Sequence, residues 1–197
     1  IPVIIAGVGA QSSIDYDFNK LKPLHKSTSE FVKAVLDKSA TIGVRGAFTG
    51  EYLNNLGFKD VDVIGCPSMF KNGSEMNVIK KTKELDCNSK ISINISPYVK
   101  KMGDVLKYNY KKYPNLIYIP QDNNTLNMQL WGFSNNKSKT EHFVPIYPTH
   151  PIFKNNQVRF FIDPVKWINY LSKFEFSFGT RIHGNITSLL AGTPAVV

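Results

Sequence analysis

Short apolar runs alternate with helical patterns along the first part of the chain. Three runs predict strands: residues 2–6, 41–44 and 61–64. Two stretches between them predict helices: residues 31–36, after a capping-box sequence at 27–30, and residues 51–56, which Gly57 closes. The order strand, helix, strand, helix, strand with short loops predicts a parallel sheet covered by helices.

The same alternation resumes after a Lys- and Asn-rich stretch at residues 71–90, which predicts a linker. Predicted strands are residues 91–95, 116–119, 174–178 and 194–197, and an extended segment at 144–148 follows a polar loop at 134–142. Predicted helices are residues 99–113, 122–131, 163–171 and 182–191, the last closed by Gly192. We therefore expect two doubly wound α/β units, at residues 1–88 with the linker and 89–197. The chain starts and stops inside apolar runs, so both units are expected to be incomplete.

Composition narrows the classes of partner. The chain has 197 residues, 42% of them hydrophobic, and a formal net charge of +9. The excess favours anionic partners, yet only three of the 24 basic residues are Arg: Arg45, Arg159 and Arg181. Because readers of nucleic acid rely on Arg for base edges and phosphates, specific nucleic-acid recognition is not expected. No apolar run is long enough to span a membrane, and the two Cys have no metal or disulfide spacing.

The sharpest candidate chemistry is the sequence Phe-Gly-Thr-Arg-Ile-His-Gly-Asn at residues 178–185, where a predicted strand turns into a helix. Amides at a helix start attract anions, and Arg offers a planar fork for carboxylate or phosphate. Thr180 is expected to cap the helix, His183 to donate a proton or bind an anion, and Gly184 to allow close backbone approach. The alternative is purely structural, with Arg181 paired to a core carboxylate and His183 capping a buried group.

Other candidates carry weaker signals. Arg45 lies between two glycines at the end of the strand predicted at 41–44, and an anion-binding and a structural role are equally open. Gly7 and Gly9 lack the third Gly of a dinucleotide fingerprint. Asp15 and Asp17 are expected to be solvated, Cys66 to pack, and the aromatic and basic run at 107–113 to form an exposed helix face. His25, His142 and His150 are expected at surface positions, without metal.

In this order, the motifs resemble the polysaccharide pyruvyl transferase family. The matching segments are residues 3–10, 42–46 with 51–53 and Gly57, 63–68, 91–96, and 178–185 with 191–194. The resemblance implies two Rossmann-like domains in a GT-B glycosyltransferase arrangement, with the active site in the cleft between them. It also implies phosphoenolpyruvate (PEP) as the donor and transfer of its pyruvyl group to sugar hydroxyls of a cell-surface or extracellular polysaccharide, as a ketal. No cofactor is expected.

The resemblance also suggests roles and partners. Arg181 and His183 are the expected catalytic residues, and the expected donor-binding residues are Arg45, Gly179, Thr180, Arg181, Gly184 and Asn185. The acceptor is expected to be a saccharide or lipid-linked saccharide, and the enzyme to be cytoplasmic, with peripheral association at the inner face of the membrane.

Two other functions remain open from the sequence. A nucleotide-sugar glycosyltransferase or sugar epimerase would hold a diphosphate at the helix after Gly179. A non-catalytic module that binds polyanions would use the dispersed Lys residues and show a steep salt dependence.

Overall fold

The computed structural model describes residues 1–75, 77–78, 84–96, 99, 101–131 and 150–197. The loop predicted at 134–142, the extended segment at 144–148 and His142 lie outside the described residues. Contacts between residues divide the chain into two compact units, Ile1–Lys71 and Asn72–Val197. Each unit is described by itself.

The first unit contains a small parallel sheet flanked by helices. A 3-10 helix, Phe18–Leu24, leads into α1 (His25–Leu36), β1 (Ile42–Val44), α2 (Ala47–Asn55), β2 (Val61–Val63) and a second 3-10 helix, Pro67–Phe70. β1 and β2 are parallel, with Ile42 opposite Val61. This order confirms the predicted strands at 41–44 and 61–64 and the helices that precede and follow the first of them, whereas the strand predicted at 2–6 is not formed.

Two details of the first unit differ from the sequence prediction. The capping box at 27–30 is wrong, because α1 begins at His25 and the Ser27 hydroxyl donates to the Leu24 carbonyl at 3.1 Å. The preceding 3-10 helix continues directly into α1, so no separate cap is needed. Residues 2–6 lie beside β1, and the Gly43 amide donates to the Ile5 carbonyl. The β-bridge to β1 lies further along the chain than the predicted strand, between Val8 and Val44.

The core of the first unit lies between these helices and the sheet. Val32 and Val35 of α1 pack with side chains from β1 and α2, and the buried members of the cluster are Leu21, Val32, Val35, Ile42, Val44, Tyr52 and Leu53. The spacing of Val32 and Val35 places both on one face of the helix, which is the face that the apolar periodicity predicts.

The second unit is built on a four-stranded parallel sheet. Its strands are β3 (Ile91–Asn94), β4 (Ile117–Tyr118), β5 (Phe176–Gly179) and β6 (Ala195–Val196), in the order β4-β3-β5-β6. All pairs are parallel, and Asn94 lies opposite Gly179. Both sheets therefore agree with an α/β fold, as predicted.

The helices of the second unit are α3 (Met102–Lys112), α4 (Asn123–Trp131), α5 (Pro151–Lys154), α6 (Pro164–Leu171) and α7 (Ile182–Leu190). The predicted helix start at 163–164 is confirmed, because the Asp163 carboxylate accepts from the Val165 amide at 2.8 Å. Gly192 follows α7 with φ of +74°, which agrees with the predicted helix end. The short helix α5 was not predicted.

The second core forms on both faces of this sheet. A large cluster joins α3 to β3 and β4: Ile91, Ile93, Ile95, Met102, Leu106, Tyr113, Leu116, Tyr118, Ile152 and Val158. A smaller one contains Ile119, Leu171 and Phe174. β3 is buried along its whole length, as expected for a central strand of a parallel sheet. Among the described residues, no helix has both the length and the apolarity needed to cross a bilayer.

The end of β5 packs tightly against the backbone of β3. Gly179 has φ of +144°, and a Cβ at this position would lie 1.8 Å from the Asn94 carbonyl oxygen. No residue with a side chain fits there without displacing the β3 backbone. Gly179 is therefore required by the packing of the sheet itself.

We predict that Gly179→Ala lowers the free energy of unfolding by about 3 kcal/mol or more, through steric overlap and an unfavourable φ. Gly46→Ala is the control, because Gly46 has φ of −158° and a Cβ there meets no atom within 4 Å. Because Gly46 is the N-cap of α2, its effect should be about 1 kcal/mol or less. Thermal melts followed by circular dichroism measure both, and equal melting temperatures for the two variants would contradict the prediction.

Candidate functional site

The strand order of the second unit indicates where on its sheet a ligand would bind. The chain passes from β3 to β4 on one side and then returns to β5 on the other side of β3. In open parallel sheets, ligands bind beyond the carboxyl ends of strands at the point where the order reverses. The carboxyl ends of β3 and β5 therefore define the candidate site, and residues 178–185 lie there.

Arg181 is held at this edge by two contacts with β3 and the residue after it. Its backbone amide donates to the Asn94 side-chain oxygen at 2.8 Å, and its Nε donates to the Ile95 carbonyl at 3.2 Å. The side chain is half-buried, and no Asp or Glu among the described residues forms an ion pair with it. The structural alternative, pairing with a core carboxylate, is thus absent from the described part of the chain.

Thr180 does not cap α7, which corrects the sequence prediction. Its hydroxyl accepts from the Ser96 amide at 2.8 Å, and its own amide donates to the Asn94 carbonyl at 3.1 Å. Arg181 is the N-cap residue, with no side-chain cap. Because Thr180 joins the chain after β5 to the chain after β3, its hydroxyl serves the turn and not the helix. The start of α7 keeps the partial positive charge that favours an anion.

His183 lies in the first turn of α7 and is exposed. Its backbone carbonyl accepts from the Thr187 hydroxyl at 2.7 Å. The imidazole caps no buried group among the described residues, contrary to the structural alternative. An exposed imidazole two residues from Arg181 is available to carry a proton or to contact an anion.

Gly184 and Asn185 lie on the inner side of the same turn. A Cβ on Gly184 would lie 2.7 Å from the side-chain carbon of Asn94, so the glycine makes room for a protein side chain. The Asn185 amide nitrogen donates to the Gly179 carbonyl at 2.8 Å and to the Arg181 carbonyl at 3.3 Å. Both residues are buried. Their assignment to donor binding stays a prediction, and the contacts give them a part in shaping the turn.

Two residues near this edge were missed by the sequence analysis. Tyr118 ends β4 and is fully buried; burial raises the pKa of its hydroxyl, as does Asp122, whereas Arg181 acts in the opposite direction. The side-chain nitrogen of Gln121 is buried with no hydrogen-bond partner among the described residues. Both residues lie at or just after the carboxyl end of the strand predicted at 116–119, and this position could have identified them as candidates.

A second set of polar groups lies at the carboxyl ends of β1 and β2 in the first unit. Arg45 follows β1, is exposed, and donates its backbone amide to the Val8 carbonyl at 2.8 Å. Cys66 is half-buried, with its sulfur 2.8 Å from the Ser68 hydroxyl oxygen. That hydroxyl, and to a smaller degree Arg45, lowers the pKa of the Cys66 thiol. A partly exposed thiol in contact with Ser68 differs from the packing role expected from the sequence.

The remaining acidic candidates have structural partners. Asp15 forms an ion pair with Lys20 at 2.8 Å, which lowers the pKa of Asp15, and Asp17 caps the first 3-10 helix. Both agree with the solvated role expected from the sequence. In the part of the chain that the structure describes, no three His, Cys, Asp or Glu side chains form a metal-binding group.

The described histidines outside α7 are not simple surface residues. His25 begins α1, and its Nε2 is buried against the ring of Tyr52. His150 caps α5, because its Nδ1 accepts from the Ile152 amide at 3.1 Å, and burial lowers its pKa. Both residues keep part of their surface exposed, so the surface positions expected from the sequence hold in part, and each ring also packs onto a neighbouring tyrosine.

Comparison with known proteins adds the family. The sequence model of the polysaccharide pyruvyl transferases matches residues 1–197, the whole chain. The chain belongs to this family. Membership makes it a pyruvyl transferase of polysaccharide biosynthesis, with a polysaccharide acceptor. No curated protein matches the chain significantly. In this pyruvyl transferase, the segment at 178–185 that carries the resemblance is also the segment that the fold places at the sheet's switch point.

We predict that Ser68→Ala raises the pKa of the Cys66 thiol, because the serine hydroxyl stabilises the thiolate. The measurement is the pH dependence of alkylation by iodoacetamide, in a Cys87→Ser background. Ser39→Ala is the matched control, since that hydroxyl donates to the Thr41 carbonyl in the same unit. An alkylation curve that Ser68→Ala leaves in place would contradict the assigned cause.

Proposed function

We propose that this family member transfers the pyruvyl group of PEP to two hydroxyls of a sugar, forming a cyclic pyruvate ketal. The observation that carries the proposal is Arg181. It lies at the switch point of a parallel sheet, its Nε is fixed on a carbonyl, and no carboxylate among the described residues pairs with it. A half-buried cation without a counter-charge favours an anionic ligand.

The donor has the charge pattern that these groups suit. PEP carries a carboxylate and a phosphate, and each is recognised by planar guanidinium donors or by amides at a helix start. We assign one anionic group to the terminal nitrogens of Arg181 and the uncapped first turn of α7, with His183 beside it. Arg45 at the end of β1 is assigned to the other group, on the basis of the family resemblance alone. The same resemblance supports two Rossmann-like domains in a GT-B arrangement, with residues 89–197 as the second.

The reaction would proceed through a cationic carbon. A proton is added to the methylene carbon of PEP, which leaves positive charge at C2, and a sugar hydroxyl attacks C2 and loses its proton. Phosphate then departs, and a second hydroxyl of the same sugar closes the ketal and loses its proton. His183 is proposed as the acid that protonates the methylene carbon, with contact to the phosphate as the competing role. Fixed donors at Arg181 and α7 would stabilise the phosphate as it leaves.

The setting follows from the polysaccharide product. We propose a saccharide or lipid-linked saccharide as acceptor, and action in the cytoplasm at the inner face of the membrane, where activated donors and lipid-linked sugars meet. The residues assigned above provide the proton and the charge stabilisation, so the proposal includes neither a cofactor nor a metal.

We predict that PEP raises the melting temperature of the protein. A ligand that binds only the folded state stabilises it by about 2.7 kcal/mol at a concentration one hundred times its Kd. Arg181→Lys should weaken PEP binding about tenfold or more, because Lys lacks the fork. Arg159→Lys is the control, since that guanidinium donates to the Asn156 and Val158 carbonyls.

Stabilisation by nucleoside diphosphates and not by PEP would favour the glycosyltransferase alternative. Binding to heparin with a steep salt dependence and no small-molecule stabilisation would favour the polyanion-binding alternative.

We predict that His183→Gln abolishes turnover and keeps the fold, because the side chain is exposed and glutamine delivers no proton near neutral pH. The measurements are phosphate release from PEP in the presence of a saccharide acceptor, and the Kd of PEP. Loss of turnover with the Kd kept supports the role as an acid. Loss of PEP binding in the same variant assigns His183 to phosphate contact, and unchanged turnover makes it structural.

A further inference from the structure

Two buried asparagines surround the backbone of Arg181. Asn94, the last residue of β3, accepts the Arg181 amide proton at 2.8 Å, and its side-chain nitrogen donates to the Asn185 side-chain oxygen at 3.0 Å. Asn185 in turn donates to the carbonyls of Gly179 and Arg181, at 2.8 and 3.3 Å. The pair therefore holds both the amide and the carbonyl of Arg181.

The orientation of both amides is fixed by the backbone. An N–H only donates, so the oxygen of Asn94 must face Arg181, and a carbonyl only accepts, so the nitrogen of Asn185 must face Gly179. The remaining nitrogen of Asn94 then meets the remaining oxygen of Asn185. Each amide thus has one arrangement that satisfies its neighbours, and a reversed amide would place like groups together.

The pair is buried and closely packed. Asn94 and Asn185 are each 3% exposed, so almost all of the surface of each side chain is in contact with the protein. Gly184 lies directly on the Asn94 side chain, where a Cβ would approach within 2.7 Å. Gly179 lies on the Asn94 backbone in the same way. The two glycines allow the turn after β5 to pack against Asn94, and this packing fixes the conformation of the turn.

The contacts of the asparagine pair also determine where the Arg181 guanidinium lies. The Arg181 backbone is held by Asn94, and its Nε donates to the carbonyl of Ile95, the next residue. The backbone amide and the Nε of Arg181 are thereby both bound to consecutive residues, the last residue of β3 and the one that follows it. A shift of Asn94 would move the Cα of Arg181 relative to the Ile95 carbonyl and release the Nε contact.

We propose that Asn94 and Asn185 are positioning residues that orient the Arg181 guanidinium for the anionic donor. The inference rests on the proposed function for the identity of that donor, PEP. The orienting effect itself depends only on the geometry of the turn, so it has a readout that needs no donor.

The test uses Asn94→Asp in the 197-residue chain. Aspartate keeps the volume and the acceptor for the Arg181 amide, but it replaces the nitrogen that faces Asn185 with an oxygen. Ser92→Ala is the matched control. Ser92 is equally buried on β3, and its hydroxyl donates to Ser177 of β5 at 2.9 Å, two residues before Asn94 and Gly179. It removes a buried contact between the same strands without touching Arg181.

The first readout is nuclear magnetic resonance of the arginine Nε–H groups, of which the chain has only three. Arg181→Lys assigns the signal of Arg181. We expect Asn94→Asp to speed hydrogen exchange at the Arg181 Nε–H about tenfold or more relative to wild type, as the contact with Ile95 is lost. Ser92→Ala should leave it within about twofold. Equal exchange in Asn94→Asp and wild type would overturn the proposal.

The second readout is the Kd of PEP by calorimetry. We expect a rise of about tenfold or more in Asn94→Asp and less than about threefold in Ser92→Ala. Asn185→Asp, which places an oxygen against the Gly179 carbonyl, should behave like Asn94→Asp. An equal rise in Ser92→Ala would show general destabilisation and overturn the positioning role. If wild type binds no PEP while Arg181 exchange still depends on Asn94, the proposed donor fails and the positioning role stands.

Discussion

The contact between Gly179 and Asn94 is the constraint on which the arrangement of the candidate site depends. Asn94 and Gly179 are register partners on adjacent parallel strands, and a Cβ on Gly179 would overlap the Asn94 carbonyl. This close approach brings the turn after β5 onto the end of β3, where backbone and side-chain groups of Asn94 accept from Thr180 and Arg181. A cation is thereby fixed at the reversal of strand order, where open parallel sheets bind ligands.

The apolar pattern was sufficient to predict much of the fold. Residues 91–95 correspond to β3 because isoleucines alternate there with small polar residues, and residues 41–44 correspond to β1 because branched residues flank a glycine in a short segment. Helix ends at Gly192 and the start after Asp163 were predictable because capping depends on local chemistry. The capping box at 27–30 failed because a 3-10 helix precedes α1, and that element has no periodic signal.

The site was predictable only in part, for a different reason. Arg181 and His183 could be found because a strand, a glycine and a helix start are recognisable in one short segment. The partners of the segment could not, because Asn94 is 87 residues away from Arg181 and its role depends on strand register. Thr180 illustrates the same limit. The local sequence predicts that its hydroxyl caps α7, but the hydroxyl accepts from the amide of Ser96, a residue distant in sequence.

The donor geometry of the guanidinium explains why Arg, and not Lys, suits position 181. A guanidinium carries five N–H donors in one plane, so Arg181 uses its Nε on the Ile95 carbonyl and still keeps two terminal nitrogens for another partner. Lysine carries its three N–H donors on one nitrogen and in no fixed plane, so it would not hold the carbonyl and a planar anionic group in the same geometry. Arg159 uses one terminal nitrogen on the Asn156 and Val158 carbonyls, and Asn156 has φ of +54°. Where only charge is needed, as on the exposed face of α3, the chain uses Lys. Arginine at position 181 therefore suits a place where the direction of each donor matters.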